Sequence, residues 1–258
     1  MTGQPTIADI DWTSWLLRYD AQQEVYTPAR ERRFDLVIDL VETHVPPEAS
    51  VLDIGAGPGS LAARLLARLP GARCVALDAD PVMIELGRRS LGDVGGRLRW
   101  VRTDVLDEDW RAALGEEHVD AAVSSAALHW LPAADLVRVY REIAQLLSPG
   151  AVFVNADLLL FPAHLGAVQK AVGAITTGRE AAARASGAED WDEWWKALEA
   201  QGVLDDAFAE RARSSLLSRR QRRIASAAFH EAALDEAGFR EVAVVWQDLE
   251  ERVLLAIR

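Results

Sequence analysis

The stretch VLDIGAGPGS, residues 51–60, decides how the rest of the chain reads. An apolar, strand-like run carries one aspartate, and glycines then stand at 55, 57 and 59. Glycine lets the backbone turn sharply and approach a ligand with no Cβ in the way. The following SLAARLLARLP has the spacing of an amphipathic helix, whose N-terminus offers unpaired amides. A turn of this kind holds nucleotides. The dinucleotide fingerprint is G-x-G-x-x-G/A, and here the third glycine falls one residue early. Spacing discriminates weakly, and the carboxylate does better. Asp53 stands two residues before the first glycine, where a pyrophosphate would meet like charge and a cation would not.

Outward from this turn, strands and helices alternate. ARCVALDAD reads as a second strand and PVMIELGRRSL as a helix opened by proline. RLRWVRTDV is a third strand, and VDAAVSSAAL a fourth after the short helix DEDWRAALG. LVRVYREIAQLLSPG is a helix stopped by Pro-Gly, and AVFVNAD is a fifth strand. This pitch implies βαβ units with right-handed crossovers and a parallel sheet. Near the end, AAFHEAALDEAGF is a helix stopped by Gly238, and REVAVVW and ERVLLAI are strands. Their link, QDLE, is too short for a helical crossover, so they pair as an antiparallel hairpin. The fold class expected is α/β: a Rossmann-like, doubly wound, mostly parallel seven-stranded sheet with an antiparallel last strand. Residues 1–45 read as a helical N-terminal cap, with Pro28 in the first turn of its second helix and Thr27 capping it. Residues 46–157 and 226–258 form the ligand-binding domain, and 158–225 a helical insertion over the acceptor.

Composition narrows the function classes. The 258 residues carry a formal charge of −12, and only Lys170 and Lys196 are lysines. Such a surface repels phosphate backbones, so no nucleic-acid partner is expected. The basic RRQRR at 219–223 reads as a solvated helix face. No uncharged apolar run approaches 18 residues, so no membrane partner is expected, and MTGQPTIADIDW lacks the features of a signal peptide. A cytoplasmic monomer or homodimer is the expectation. Cys74, the single cysteine, sits in the apolar RCVALD and reads as an inert buried thiol.

Two more acids complete the ligand's outline. Asp78 closes the second strand, about 20 residues past the glycines, where an acid accepts from ribose hydroxyls. Asp104 closes the third, where it can accept from an adenine amine while Val105 and Leu106 pack on the ring. Acids at the ends of three strands describe a ligand with a positive region, a ribose diol, a purine and no phosphate. S-adenosylmethionine (SAM) fits that description.

At these residues the chain resembles the class I SAM-dependent methyltransferases, near the bacterial trans-aconitate methyltransferase-like group. VLDIGAGPG, ALDAD, RTDV and DAAVSSAALHWL resemble that family's first four motifs, over about 50–156, and EAGF with the terminal hairpin its reversed last strand. The resemblance implies methyl transfer from SAM to a small-molecule acceptor, releasing S-adenosylhomocysteine, in specialised metabolism. It also implies that Asp53, Gly55, Ala56, Gly57 and Gly59 line the methionine moiety. Asp78, Ala79 and Met83 would meet the ribose and adenine, Asp104 and Val105 the base, and Ser124 the sulfonium side. Tyr26 and Arg33 lie in helices that cover this site in similar proteins and reach toward the methionine carboxylate.

His129, directly after the fourth strand, is the candidate general base, because imidazole titrates near working pH. Trp130, Asn155, Asp157 and Trp195 are candidate acceptor contacts. Asn155 and Asp157 have the oxygen-ligand chemistry of a Mg²⁺ site but lack a third partner, so no metal is expected. Trp191, Trp194 and Trp195 share one helical face, as core or as an aromatic wall. Two other readings compete: an NAD-dependent oxidoreductase on the same fold class, and a non-catalytic partner protein.

Overall fold

Seven strands form one sheet in a computed structural model that describes residues 6–115, 118–214 and 224–258. They are β1 (Ser50–Ile54), β2 (Arg73–Asp78), β3 (Leu98–Arg102), β4 (Val119–Ser125), β5 (Leu147–Leu158), β6 (Glu241–Asp248) and β7 (Glu251–Ile257). Their order is β3-β2-β1-β4-β5-β7-β6. All neighbours are parallel except β7, which runs antiparallel to both β5 and β6. Chain order reverses between β1 and β4, and in open α/β sheets ligands bind at that switch, beyond the strands' carboxyl ends.

Side-chain alternation along the strands fills both faces. On one, Leu52, Ile54, Ala122, Phe153 and Leu254 pack with α6 (Ala133–Leu146) and α10 (Ala227–Glu236). On the other, Val51, Cys74, Val123 and Val154 meet α2 (Arg30–Glu42) and α3 (Ser60–Arg68). Helix α2 presents Phe34, Val37, Ile38 and Val41 at helical spacing, all buried. It thus packs against the sheet at β5 and β7, whereas α1 (Trp12–Tyr26) packs on the helices that follow β2 and β5. Thr27 does not cap α2: its N–H closes the end of α1 onto the Gln23 carbonyl, and Ala29, with φ 60°, starts α2.

One helix ends differently from its sequence signal. Helix α6 stops at Leu146, before Pro149, and β5 begins at once with Leu147. A residue before proline is driven toward extended backbone, so the break moves upstream of the ring. The fragment between β5 and α10 leaves at Leu160 and returns at Ser226, where the two are bridged. It holds α7 (Gly166–Ala185), α8 (Trp191–Glu199) and α9 (Asp205–Arg213). α4 (Pro81–Leu91) follows β2, and the short α5 (Trp110–Leu114) precedes β4. Trp15, Met83, Leu86, Trp194, Trp195 and Leu204 build a third core joining α1, α4, α8 and α9. The basic run at 219–223 lies outside the described residues.

Candidate active site

A cavity of about 520 Å³ opens at the carboxyl ends of β1, β2 and β4, under α1, α7, α8 and α9. Asp53, Gly55, Ala56 and Gly57 line it from the first loop. Asp78, Ala79 and Met83 line it after β2, and Asp104 and Val105 after β3. Asp104 stands two residues past the end of β3, and its Oδ1 also accepts from the Leu106 N–H at 2.9 Å.

The glycines divide their work. Gly57 (φ +56°) faces the cavity, and a Cβ there would meet only the Tyr19 hydroxyl, at 3.5 Å. Gly59 does not line it: it starts α3 at φ +84°, and a Cβ would stand 2.5 Å from the Trp100 ring. Its absence of side chain serves packing of the loop on β3, so its expected ligand contact is corrected. Gly55 is forced by a neighbour too, since a Cβ would stand 2.3 Å from that of Ala127.

Asp78 ties the loop together. Its Oδ2 accepts from the Gly57 N–H and its Oδ1 from the Asp80 N–H, each at 2.7 Å. Burial, more than the opposing hydrogen bonds, pushes its pKa up to about 6. Asp53 is 1% exposed, and its Oδ2 has no hydrogen-bond partner among the described residues. Burial first, and the Asp78 charge second, raise its pKa to about 7. A buried acid raised further by a neighbouring acid's charge is costly to ionise, and a positive ligand offsets that cost.

After β4 the chain places Ser125, Ala126 and Ala127 on the cavity, not Ser124. The Ser124 hydroxyl is fully buried and donates to the Ile54 carbonyl at 2.8 Å, tying β4 to β1. Its expected place beside the ligand is corrected by one step of strand alternation.

His129 and Trp130 line the cavity, their rings 4.4 Å apart. Asp157, fully buried at the end of β5, holds His129 twice: Oδ2 accepts from the His129 N–H at 3.0 Å, and Oδ1 meets Nδ1 at 2.5 Å. Burial pushes the Asp157 pKa up, but His129 and the Leu158 N–H more than offset it, and the net shift is downward. An ionised Asp157 fixes the proton on Nδ1 and leaves Nε2 with its lone pair. Asp157 therefore does not line the cavity but acts on it through His129. Asn155 does not line it either: it is fully buried under the sheet, its amide without partners among the described residues. Among the described residues no group of three or more His, Cys, Asp or Glu is arranged to hold a metal ion.

Arg33 is also withdrawn from the cavity, since it donates to the Ala156 carbonyl at 2.6 Å and pairs with Glu251. Arg30, one turn earlier, lines the cavity instead, paired with Asp20 at 2.7 Å. Tyr26 lines it too, its hydroxyl accepting from the Trp191 N–H. The Gln23 amide nitrogen is buried on the same wall without a partner among the described residues. Trp191 and Trp195 are wall residues, whereas Trp194 is core. At the far end stand Thr176, Glu180, Asp248, Glu250 and Glu251. Sequence spacing carried no signal for Gln23, Arg30 or Glu250, because each reaches the cavity only through packing of its element.

Residues 51–150 match the family described as "Methyltransferase domain". The trans-aconitate 2-methyltransferase of Methylobacterium radiotolerans is 32% identical over 149 residues, 56% of this chain and 53% of that protein. The chain thus spans about half the length of such relatives. An O-methyltransferase family protein from Burkholderia thailandensis shares the fold with a TM-score of 0.54 at 17% identity, covering 100% of this chain and 65% of that one. Human N-acetylserotonin methyltransferase in complex with SAM does so with a TM-score of 0.52 at 15% identity, over 93% and 57%. No described helix is long and apolar enough to cross a membrane. Residues 51–150 thus carry a methyltransferase domain, and the sheet order around it is the fold shared with these solved structures.

Proposed function

We propose that the protein transfers the methyl group of SAM to a small-molecule acceptor and releases S-adenosylhomocysteine. The single observation that carries this is Asp53, a buried carboxylate with an unpaired oxygen and a pKa near 7 on the cavity wall. A sulfonium or ammonium satisfies it, and a pyrophosphate would worsen it. This disfavours the NAD-dependent reading. In this reading Asp53, Gly55, Ala56 and Gly57 hold the amino-acid end, with Arg30 and Gln23 as donors above it. Asp78, Ala79 and Met83 hold the ribose and adenine edge, and Asp104 and Val105 the base.

Bound SAM supplies a methyl carbon already activated by its sulfonium. What remains for the protein is to position the acceptor, exclude water and take a proton where the acceptor must lose one. His129 does the last through Nε2, with Asp157 orienting it. This geometry favours a catalyst over the non-catalytic partner reading.

The acceptor end supports a neutral or cationic substrate. Arg179, the arginine at this end of the cavity, is already paired with Asp248. Glu250 is buried, with Gln169 and Thr176 as its side-chain partners. Such a wall repels a polycarboxylate, so we place trans-aconitate-like acceptors behind amines and neutral hydroxyl compounds. We further read the protein as cytoplasmic, monomeric or homodimeric and in specialised metabolism, and the formal charge of −12 argues against nucleic-acid partners. Calorimetric titration tests the donor: SAM and S-adenosylhomocysteine bind, and NADH binding without them sinks the reading. An acceptor screen with mass detection tests the rest. Efficient methylation of a tricarboxylate would overturn the acceptor class, and a SAM-binding protein that methylates nothing would favour the partner reading.

A further inference from the structure

The insertion reaches past the acceptor end. Helix α7 supplies Thr176, Arg179 and Glu180 beside the β6–β7 turn, but α8 and α9 cross to the opposite wall and dock on α1 and α4. There Arg211 of α9 donates through Nε to Asp80 Oδ2 at 2.5 Å, with both side chains largely buried. Its guanidinium lies 3.8 Å above the centre of the Trp195 ring. Asp80 belongs to the donor side: its other oxygen caps α4 at the Val82 N–H, and its own N–H binds Asp78. Trp195 is braced edge-on by Phe208 and Trp194. It lines the cavity at 8% exposure, and its indole N–H finds no acceptor among the described residues.

Trp195 lines the cavity and its indole N–H lacks an acceptor among the described residues, and a bound ligand that supplies one would satisfy it. Resting on the SAM reading above, we propose that α8 and α9 form a clasp over the donor. The Trp195 N–H donates to a nitrogen or oxygen of the adenosine, and the Asp80–Arg211–Trp195 stack holds the arm shut. The insertion then serves two substrates with two parts: α7 walls the acceptor, and α8–α9 retain the nucleoside. Stacked on the indole and paired with a carboxylate, the Arg211 guanidinium is largely shielded from water. The exposed pair between Glu210 of the same helix and Arg102 at the end of β3 is a surface contact and adds little to closure.

Surface plasmon resonance with S-adenosylhomocysteine tests this without knowing the acceptor. Arg211→Leu raises the dissociation rate tenfold or more and changes association far less. Trp195→Phe keeps the ring, loses the N–H and weakens Kd three- to tenfold. Glu210→Gln matches wild type. Circular dichroism checks folding, and Arg211→Lys, which keeps charge but not the planar stack, gives an intermediate rate should the leucine variant misfold. Dissociation unchanged in folded Arg211 variants overturns the clasp, and Kd unchanged in Trp195→Phe overturns the indole contact. A wild-type protein that binds no S-adenosylhomocysteine fails differently, by removing the SAM reading itself.

Discussion

Asp53 is where burial becomes recognition. Its pKa near 7 lies above the roughly 3.9 of a free aspartate, so the folded, ligand-free protein prefers the protonated form. That preference stabilises the fold fully below about pH 4 and is lost as pH rises through 7. Asp53→Asn should therefore raise the Tm of the ligand-free protein at pH 8, with the gain shrinking toward pH 5.5, in paired thermal melts. The same variant should bind SAM at least ~10-fold more weakly at pH 8, since a charge-assisted contact contributes about 1.5–3 kcal/mol. Wild-type affinity should strengthen from pH 6 to pH 8, and that of the variant less steeply, with Asp78 the remaining acid that titrates there. The glycines give a second contrast. Gly59→Ala meets Trp100 and a left-handed φ, so it should cost about 1–3 kcal/mol in urea melts. Gly57→Ala meets the same left-handed strain but no neighbour closer than 3.5 Å, so it should cost less stability than Gly59→Ala and weaken SAM binding as well. All three glycines look equivalent in the sequence, and only their neighbours separate them.

At the scale of elements, β5 connects the sheet to the chemistry. Its last turn of alternation sends Asp157 up to His129 and leaves Asn155 buried one step behind. Asp157→Asn keeps the shape but can donate to Nδ1, which moves the proton to Nε2 and blocks it as a base. For an acceptor that must lose its proton, kcat should fall about 10²–10⁴-fold with S-adenosylhomocysteine affinity unchanged. Nitrogen-15 spectra of the His129 ring should show the tautomer change directly. An unaltered tautomer would remove Asp157 from its positioning role. Both residues were legible as candidates, because each sits at a strand's end. Their pairing was not, since 28 residues separate them and only the parallel register of β4 on β5 brings them together. The same register explains the Ser124 correction: a strand-end residue faces either the ligand or the neighbouring strand, and the motif does not say which.

At the scale of the whole molecule, the cavity is closed by segments far from the glycine turn. α1, α7, α8, α9 and the β6–β7 turn each supply walls. Ligand binding should therefore stabilise the entire fold. S-adenosylhomocysteine at 100 times its Kd contributes about 2.7 kcal/mol, or a Tm rise of roughly 5–10 °C for a chain of this size. NADH at the same concentration should leave Tm unchanged, and differential scanning calorimetry distinguishes the two.

The sequence by itself determined the sheet, its reversed final strand and the acids at the ends of β1, β2 and β3. Those features are local: strand periodicity, a hairpin link too short for a crossover, and carboxylates at fixed offsets from a turn. Tertiary structure alone decided which arginine lines the cavity, that Asp157 pairs with His129, and that the insertion divides between two walls. Each of those depends on how helices pack on one another across long stretches of chain, and helical spacing states only which face is apolar, not what it will cover. VLDIGAGPGS thus announces the donor, while the acceptor's surroundings are assembled from residues that no single motif contains.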